Sequence, residues 1–410
     1  MTVKAPTEHA PFSFDTAAVI ASARRAAVAD RYAVDSFSVE WRELSQLHVV
    51  ADEWRELAAR ALASNVFYEP AFALAAAPIF GCDVGAVLVW SGTMPRRLVG
   101  FFPARIETRR YGLNLPVMLG WTHPFAPLGI PLVEREAVEP VIAAWLAHLA
   151  GDTRLPGLLL MPFLPEGGPL AAALQAVLRR GQMQTAKFNR HERALLAPEG
   201  NRSTYVERAL GPRKYRELRR TVRRLCEAGA VLYTTATDPA DIGPAIDDFL
   251  ELEASGWKGE AGTAAACDDE VREFVKTAVG ALGAEHKVAI DRILLDGRPI
   301  AASITLRSGD GAWFWKIAYD ELQARFAPGV MLTALVTEQL AADVDVTHTD
   351  SCAVADHAVM NRTWSERLPL HDLLIAVRPQ APFMRAQRLE TLRCKMIALT
   401  RRIRNKLRHH

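Results

Sequence analysis

Residues Lys287–Asp350 read KVAIDRILLDGRPIAASITLRSGDGAWFWKIAYDELQARFAPGVMLTALVTEQLAADVDVTHTD. An apolar run, Val288–Leu295, is broken by Asp296-Gly297. Both residues of that dipeptide tolerate positive φ, so it predicts a tight hairpin turn. A second run, Ile300–Leu306, meets a second turn at Ser308-Gly309-Asp310-Gly311, and the aromatic run Trp313–Tyr319 follows. Three runs joined by two short turns predict an antiparallel meander, with Pro299 tolerated at the first residue of a strand. Asp320–Pro328 is polar and reads as a loop ending at Pro328-Gly329. Val330–Ala342 then places Leu332, Leu335, Val336 and Leu340 on one helical face, and Val346–Thr349 is a short strand leading to Asp350. The helix start would offer unpaired N–H groups and its dipole to a phosphate, an interaction worth ~0.3–1 kcal/mol.

Composition bounds the rest. The chain has 410 residues, half of them hydrophobic, enough for two or three domains with sizeable cores. A net charge of +2 excludes a polycation. Five scattered cysteines without a C-x-x-C pair argue against a disulfide framework or a zinc site and fit a reducing cytoplasm. Lys4 has no apolar core after it, so no signal peptide is expected, and runs such as Leu158–Leu164 are far too short to span a bilayer. The expectation is a soluble cytoplasmic protein, peripheral to a membrane at most.

Upstream, residues 1–36 read as a loose tail, with a candidate helix at Thr16–Ala29. From Phe37 a folded unit is expected. It has a strand at Ser38–Trp41, a helix at Leu44–Ala63, and a second helix entered through Pro70 and running to about Pro78. Strands follow at Val84–Trp90, Leu98–Ile106 and Leu115–Trp121, then a helix at Glu134–Leu149, a buried strand at Gly157–Phe163, a helix at Leu170–Arg179 and a strand at Gln182–Leu196. Gly200–Gly229 is a basic helical stretch carrying Arg213, Lys214, Arg216, Arg219, Arg220, Arg223 and Arg224. It is either an anion-binding face or a solvated one. Beyond it, strand Val231–Thr235 and helices Ala240–Leu252 and Asp268–Leu282 lead into the meander, and Leu370–Val377 closes the unit. The element order of the first half thus repeats in the second.

Phe383–His410 forms a terminal helix with nine Lys/Arg opposed only by Glu390. Leu389, Leu392, Met396, Ile397, Leu399 and Ile403 would turn inward, either onto an anionic membrane surface or onto the body of the protein.

The segment Arg325–Val330 between strand and helix resembles the pyrophosphate loop of GNAT acyltransferases. Lys214–Leu225, Leu252–Gly259, Asp296–Ala301 and Phe314–Asp320 resemble the acetyltransferases of bacterial exopolysaccharide and cellulose loci, the CelD/BcsL type. That family is itself similar to Fem-type peptidoglycan aminoacyl transferases. The likeness covers roughly Asn201–Leu370, and the loop departs from the usual R-x-x-G-x-G/A pattern by one extra residue before Gly329 and no second Gly. It implies an α/β (α+β) fold of two tandem GNAT-like units, each a mixed, mostly antiparallel sheet flanked by helices. The expected divisions are a degenerate unit at 37–198, an acyltransferase unit at 199–378, and a linker with a basic helix at 379–410. In the first unit Thr122–Gly129 stands at the loop position, but its prolines remove N–H donors, so this unit is expected to shape the cleft.

The resemblance implies acetyl-CoA or another acyl-CoA as co-substrate, held by Arg325, Gly329, Val330 and Met331. GNAT-type transfer needs orientation, oxyanion stabilisation and a base. Glu253, in the family's recognisable motif, is one candidate base, and His357, beyond the last central strand, is another. Asp350 is a candidate to orient His357 or to bind substrate, unless it only caps a turn. Trp257, Lys258, Trp315, Tyr319 and Trp364 are candidates to line an acceptor cleft, with core packing as the competing role for the aromatics. Lys316, in the middle of an apolar strand, needs a partner such as Glu253. The expected activity is acyl-CoA-dependent N- or O-acyl transfer to an amino-sugar, polysaccharide or cell-envelope precursor. The alternatives are an aminoacyl-tRNA-dependent Fem-type transferase, the only reading with a nucleic-acid partner, and a non-catalytic binding protein.

Overall fold

A computed structural model describes residues 37–92, 95–200, 202–256, 262 and 264–407, with side chains to residue 400. The expected tail at 1–36, with Thr16–Ala29, lies outside the described residues, as do Trp257 and Lys258.

In chain order the first half comprises β1 (Phe37–Glu43), α1 (Ala51–Arg60), α2 (Pro70–Phe80), β2 (Val84–Ser91), β3 (Leu98–Arg110), β4 (Leu113–Gly120), β5 (Leu132–Val133), α3 (Val138–Gly151), β6 (Leu158–Pro165), α4 (Pro169–Arg180) and β7 (Thr185–Leu196). The second half comprises α5 (Tyr205–Ala228), β8 (Val231–Ala236), α6 (Pro239–Ser255), α7 (Asp269–Ala284), β9 (Val288–Leu295), β10 (Arg298–Ser308), β11 (Gly311–Tyr319), α8 (Pro328–Ala342), β12 (His348–Asp350), α9 (Ala358–Thr363) and β13 (Glu366–Ala376). The terminal helix is α10 (Phe383–Leu407).

Local chemistry accounts for most of these. Asp296 and Gly297 sit at φ 50° and 79°, the doubly left-handed turn that their spacing predicted. Asp268 caps α7 by accepting the N–H groups of Glu270 and Val271. Three expectations change. Leu44–Ala63 divides into a 3-10 segment (Leu44–Val50) and α1, the polar segment before α8 is a 3-10 turn (Glu321–Phe326), and α5 kinks at Gly211, φ 74°, ahead of Pro212.

The strands form one 13-stranded sheet, ordered β1-β2-β3-β4-β6-β13-β7-β12-β11-β10-β9-β8, with β5 paired to β3 off this path. The expected boundary at 198/199 does not separate two sheets. β13, from the second half, lies between β6 and β7, and β7, from the first half, lies between β13 and β12. Each half therefore fills a strand position in the other. The core is shared in the same way. On one face Phe72 of α2 meets Phe274 of α7 at 5.5 Å, within a single apolar cluster drawn from both halves. On the opposite face α3 and α4 cover the first half while α8, α5 and α9 cover the second.

The terminal helix packs on the sheet through Phe383 and Ala386. Its buried Glu390 accepts from Arg110 at 2.9 Å and from Tyr111 at 2.9 Å. The expectation that its apolar residues all turn inward is corrected. Leu392, Met396 and Leu399 are more than half exposed, at 55%, 55% and 58%, because the helix runs past the strands that cover its first turns.

Candidate active site

The site begins with one extra residue. Across β10 and β11, Ile304 pairs with Lys316 but Thr305 pairs with Phe314, so Trp315 is a β-bulge. On the other side of β11 the parallel pairing with β12 covers only Gly311, Ala312 and Trp313, and stops at Asp350. From the bulge onward β11 stays paired to β10 but has no strand on its β12 side among the described residues, and β11 and β12 part. Asp320 N–H donates to Ile300 O at 2.9 Å. Antiparallel alternation then directs the N–H groups of Lys316 and Ala318 toward β10 and those of Ile317 and Tyr319 toward the opening.

α6 brings Glu253 to this edge, in a small depression with Gly256, Ile317, Ala318, Tyr319 and Glu321. Glu253 is buried, and its Oε2 accepts the N–H of Ala265 at 2.9 Å. Lys316 Nζ lies 4.0 Å from Glu253 Oε1 and 4.0 Å from the ring centre of Phe125, which comes from the first half. A cation over an aromatic face is stabilised there, and more strongly where water is thinned out. The first half supplies Phe125 on a loop that also closes its own strand opening. Gly129 N–H donates to Phe163 O at 3.3 Å, and a Cβ at Gly129 would lie 2.0 Å from Pro162 O.

Other predicted residues have different places. Trp315 is buried and donates to Phe125 O at 2.8 Å, and Trp364 is buried and donates to Thr337 Oγ1 at 2.8 Å. Both are core residues rather than cleft linings, because each ring packs against a helix-covered face of the sheet. Tyr319 is 37% exposed and packs on Gly329, where a Cβ would meet its ring at 2.9 Å. Asp350 is enclosed, with Oδ2 paired to Arg193 and Oδ1 accepting the N–H of Cys352 at 2.9 Å. At 2% exposure it ties β12 to β7 through Arg193. His357 caps α9 by accepting Met360 N–H at Nδ1, 3.2 Å, which leaves Nε2 to carry the proton of a neutral ring.

The phosphate end is narrower than expected. Pro328 has no N–H, and the N–H groups of Val330 and Met331 both turn back to Ala327 O, at 3.0 and 3.1 Å. Gly329 supplies the first N–H of α8, and Ala327 caps it in the left-handed region, φ 47° and ψ 51°. Met331 is buried in the core, while Arg325 is exposed and stacks on Phe326 at 4.7 Å. α5 packs beside this turn through Val206, Leu210 and Leu218, leaving its arginines in solvent. Arg213, Lys214, Arg216, Arg219, Arg220, Arg223 and Arg224 make no ion pair among the described residues.

Arg193, Phe125 and Cys352 were missed by sequence reasoning. Arg193 stands in a strand rich in charge, and nothing local distinguishes it from Arg190. Burial and the charge of Asp350 push the Cys352 thiol well above its ordinary value, against the opposing pull of Arg193 and Lys316. It stays protonated at neutral pH and is a poor nucleophile.

Residues 212–357 match the model of the acetyltransferase (GNAT) domain. No curated protein matches the chain. Among solved structures, the chain is similar to FemX at TM-score 0.54 and 9% identity, over 82% of this chain and 97% of that one. It is similar to the C-terminal DUF2156 domain of a candidate lysylphosphatidylglycerol synthetase from Agrobacterium fabrum at TM-score 0.50 and 10% identity, over 80% and 92%. A tandem GNAT protein from the clavulanic acid biosynthesis pathway aligns at TM-score 0.38 and 13% identity, over 84% and 99%. Residues 212–357 carry a GNAT acetyltransferase domain, so the chemistry of this part of the chain is acyl transfer, and the fold is similar to that of FemX over most of the chain.

Proposed function

We propose that this acyltransferase moves an acyl group, acetyl in the simplest case, from acyl-CoA to an amine or hydroxyl of an amino-sugar, polysaccharide or other cell-envelope precursor. The observation that carries the donor assignment is the parting of β11 from β12 at the Trp315 bulge, with the backbone of Ile317 and Tyr319 directed into it. The acceptor class rests on the likeness of Leu252–Gly259 and Phe314–Asp320 to the CelD/BcsL-type enzymes.

Bound acyl-CoA would supply the activated thioester. Gly329 N–H, the α8 dipole and Arg325 hold its phosphates, and the cradle fits, since any side chain at Gly329 would displace Tyr319. The Ile317 and Tyr319 N–H groups orient the acyl carbonyl and stabilise charge developing on its oxygen. Glu253 accepts the proton of the attacking amine or hydroxyl, positioned by Ala265 N–H and by Lys316. Attack is direct, because the half-buried Cys352 thiol is held in its protonated form and is a poor nucleophile.

Calorimetric titration with acetyl-CoA and longer acyl-CoAs, followed by CoA release with a panel of amino-sugars, tests this. Gly329→Pro, which removes the N–H, is expected to abolish binding. Glu253→Gln is expected to bind normally and lose about 10²–10⁴-fold in kcat. Full turnover by Glu253→Gln would remove it as the base.

A second reading is favoured by one feature, the unpaired basic face of α5 beside the phosphate turn. In an aminoacyl-tRNA-dependent transferase of Fem type that face would hold the RNA backbone. Binding of charged tRNA with no binding of any acyl-CoA would select it.

No helix among the described residues is long and apolar enough to cross a membrane. Contact with an anionic membrane surface through α10 would use Met384, Leu392, Met396 and Leu399 flanked by arginines. Leu392→Glu with Met396→Glu is then expected to reduce co-sedimentation with phosphatidylglycerol vesicles several-fold. Unchanged sedimentation would exclude this face.

A further inference from the structure

A well-formed cavity stands apart from the site above. It lies in the first half, between α3 and α4 over the sheet, with a volume of about 450 Å³. Volumes of this order suit a bound small molecule. Its walls are apolar: Ile142 and Trp145 from α3, Leu174 and Leu178 from α4, Met161 from β6 and Leu373 from β13. The cavity follows α4 from Pro169 to Arg179. At 1.5 Å per residue that is a length of about 15 Å, the form of a chain rather than of a compact ring.

One region of the lining is polar. Lys187 and His371 stand on the adjacent strands β7 and β13, where Lys187 is in register with Leu373. Arg179 adds a second cation. His371 is 3% exposed, and its Nδ1 has no hydrogen-bond partner. The nearest acid, Glu166, is 3.8 Å away, beyond hydrogen-bond reach, and is itself held by Arg190 at 2.9 Å. Neither Lys187 nor Arg179 forms an ion pair among the described residues. A buried ring nitrogen without a partner costs stability unless something meets it.

We infer that this cavity is a binding site for an unbranched acyl chain with an anionic head, the chain lying between α3 and α4 and the head meeting Lys187 and His371. Apolar cavities with such walls stay dry and take up apolar guests. Each buried methylene tightens binding about three- to four-fold until the space is full. An anionic head satisfies the unpaired ammonium and accepts from the imidazole N–H. The site is separate from the β11–β12 opening and does not depend on the transferase assignment.

The test is calorimetric titration of the full chain, without acyl-CoA, using octanoate, decanoate, dodecanoate, dodecyl phosphate and dodecanol. Saturable binding at one site is expected, with dodecanoate or dodecyl phosphate tightest and octanoate at least tenfold weaker. Whichever of those two is tighter identifies the head as carboxylate or phosphate. Leu174→Trp fills the cavity, and Ala171→Phe narrows it from a half-buried position less able to disturb folding. Each is expected to weaken binding more than tenfold. Lys187→Gln is expected to weaken the anionic probes about tenfold and to leave dodecanol unchanged. Absence of saturable binding by every probe would overturn the proposal, as would affinities that neither cavity variant alters.

Discussion

Produced separately, residues 37–198 and 199–378 are expected to yield no cooperatively folded protein, whereas the two fragments co-expressed recover a soluble complex. The reason lies in the strand order. Without β13, β6 keeps only Leu159 and Leu160 paired to β4 and exposes its other edge to solvent. Without β7, β12 loses its antiparallel neighbour and β13 is left with no strand of its own half beside it. Such long apolar edges pair with other chains and aggregate. Splitting would also expose the interface where Phe72 and Phe80 meet Phe274. Circular dichroism and size-exclusion chromatography of each fragment decide the matter, alongside a single thermal transition for the full chain. A monomeric 199–378 fragment with a sharp unfolding transition would mean that the strand exchange is dispensable.

Arg193→Ala and Asp350→Ala are each expected to cost about 3–5 kcal/mol of stability, the range seen when one partner is removed from a buried ion pair. Arg193 and Asp350 are each 2% exposed and join β7 to β12, the contact across which the halves exchange strands. Arg193 also donates to Pro127 O at 2.8 Å, which pins the loop carrying Phe125 against Lys316. The loss is therefore expected to reach the active site, loosening Phe125 along with the sheet. The cost comes from stranding a charge, not from the net value of the pair. Arg193→Met combined with Asp350→Leu should accordingly recover most of the stability while leaving the loop free of its anchor. Urea denaturation of the singles and the double decides between these accounts. Single variants within about 1 kcal/mol of the parent would show that water reaches the pair and solvates the survivor.

The elements themselves were legible because their causes are local. Asp296-Gly297 makes its turn from its own backbone preferences. The run Trp313–Tyr319 makes a strand, and Pro328-Gly329 opens a helix, whatever lies around them. Lys316 was legible as a problem, since an ammonium in an apolar strand needs company. Glu253, the carboxylate named for it, lies 4.0 Å away.

What the sequence hid was decided at a distance. Trp315 and Trp364 carry the same aromatic surface whether they line a cleft or fill a core, and only the bulge and the helix-covered faces assign them to the core. Arg193 meets Asp350 across 157 residues, and no spacing rule reaches that far. The exchange of β7 and β13 is hidden for the same reason, because a strand's pattern states that it must be buried and not which edge will bury it. Turns, caps and periodicity are short-range energies written in neighbouring residues. Strand order, buried charge pairs and cavities are set by closing the whole sheet, and the chain discloses them only once it has folded.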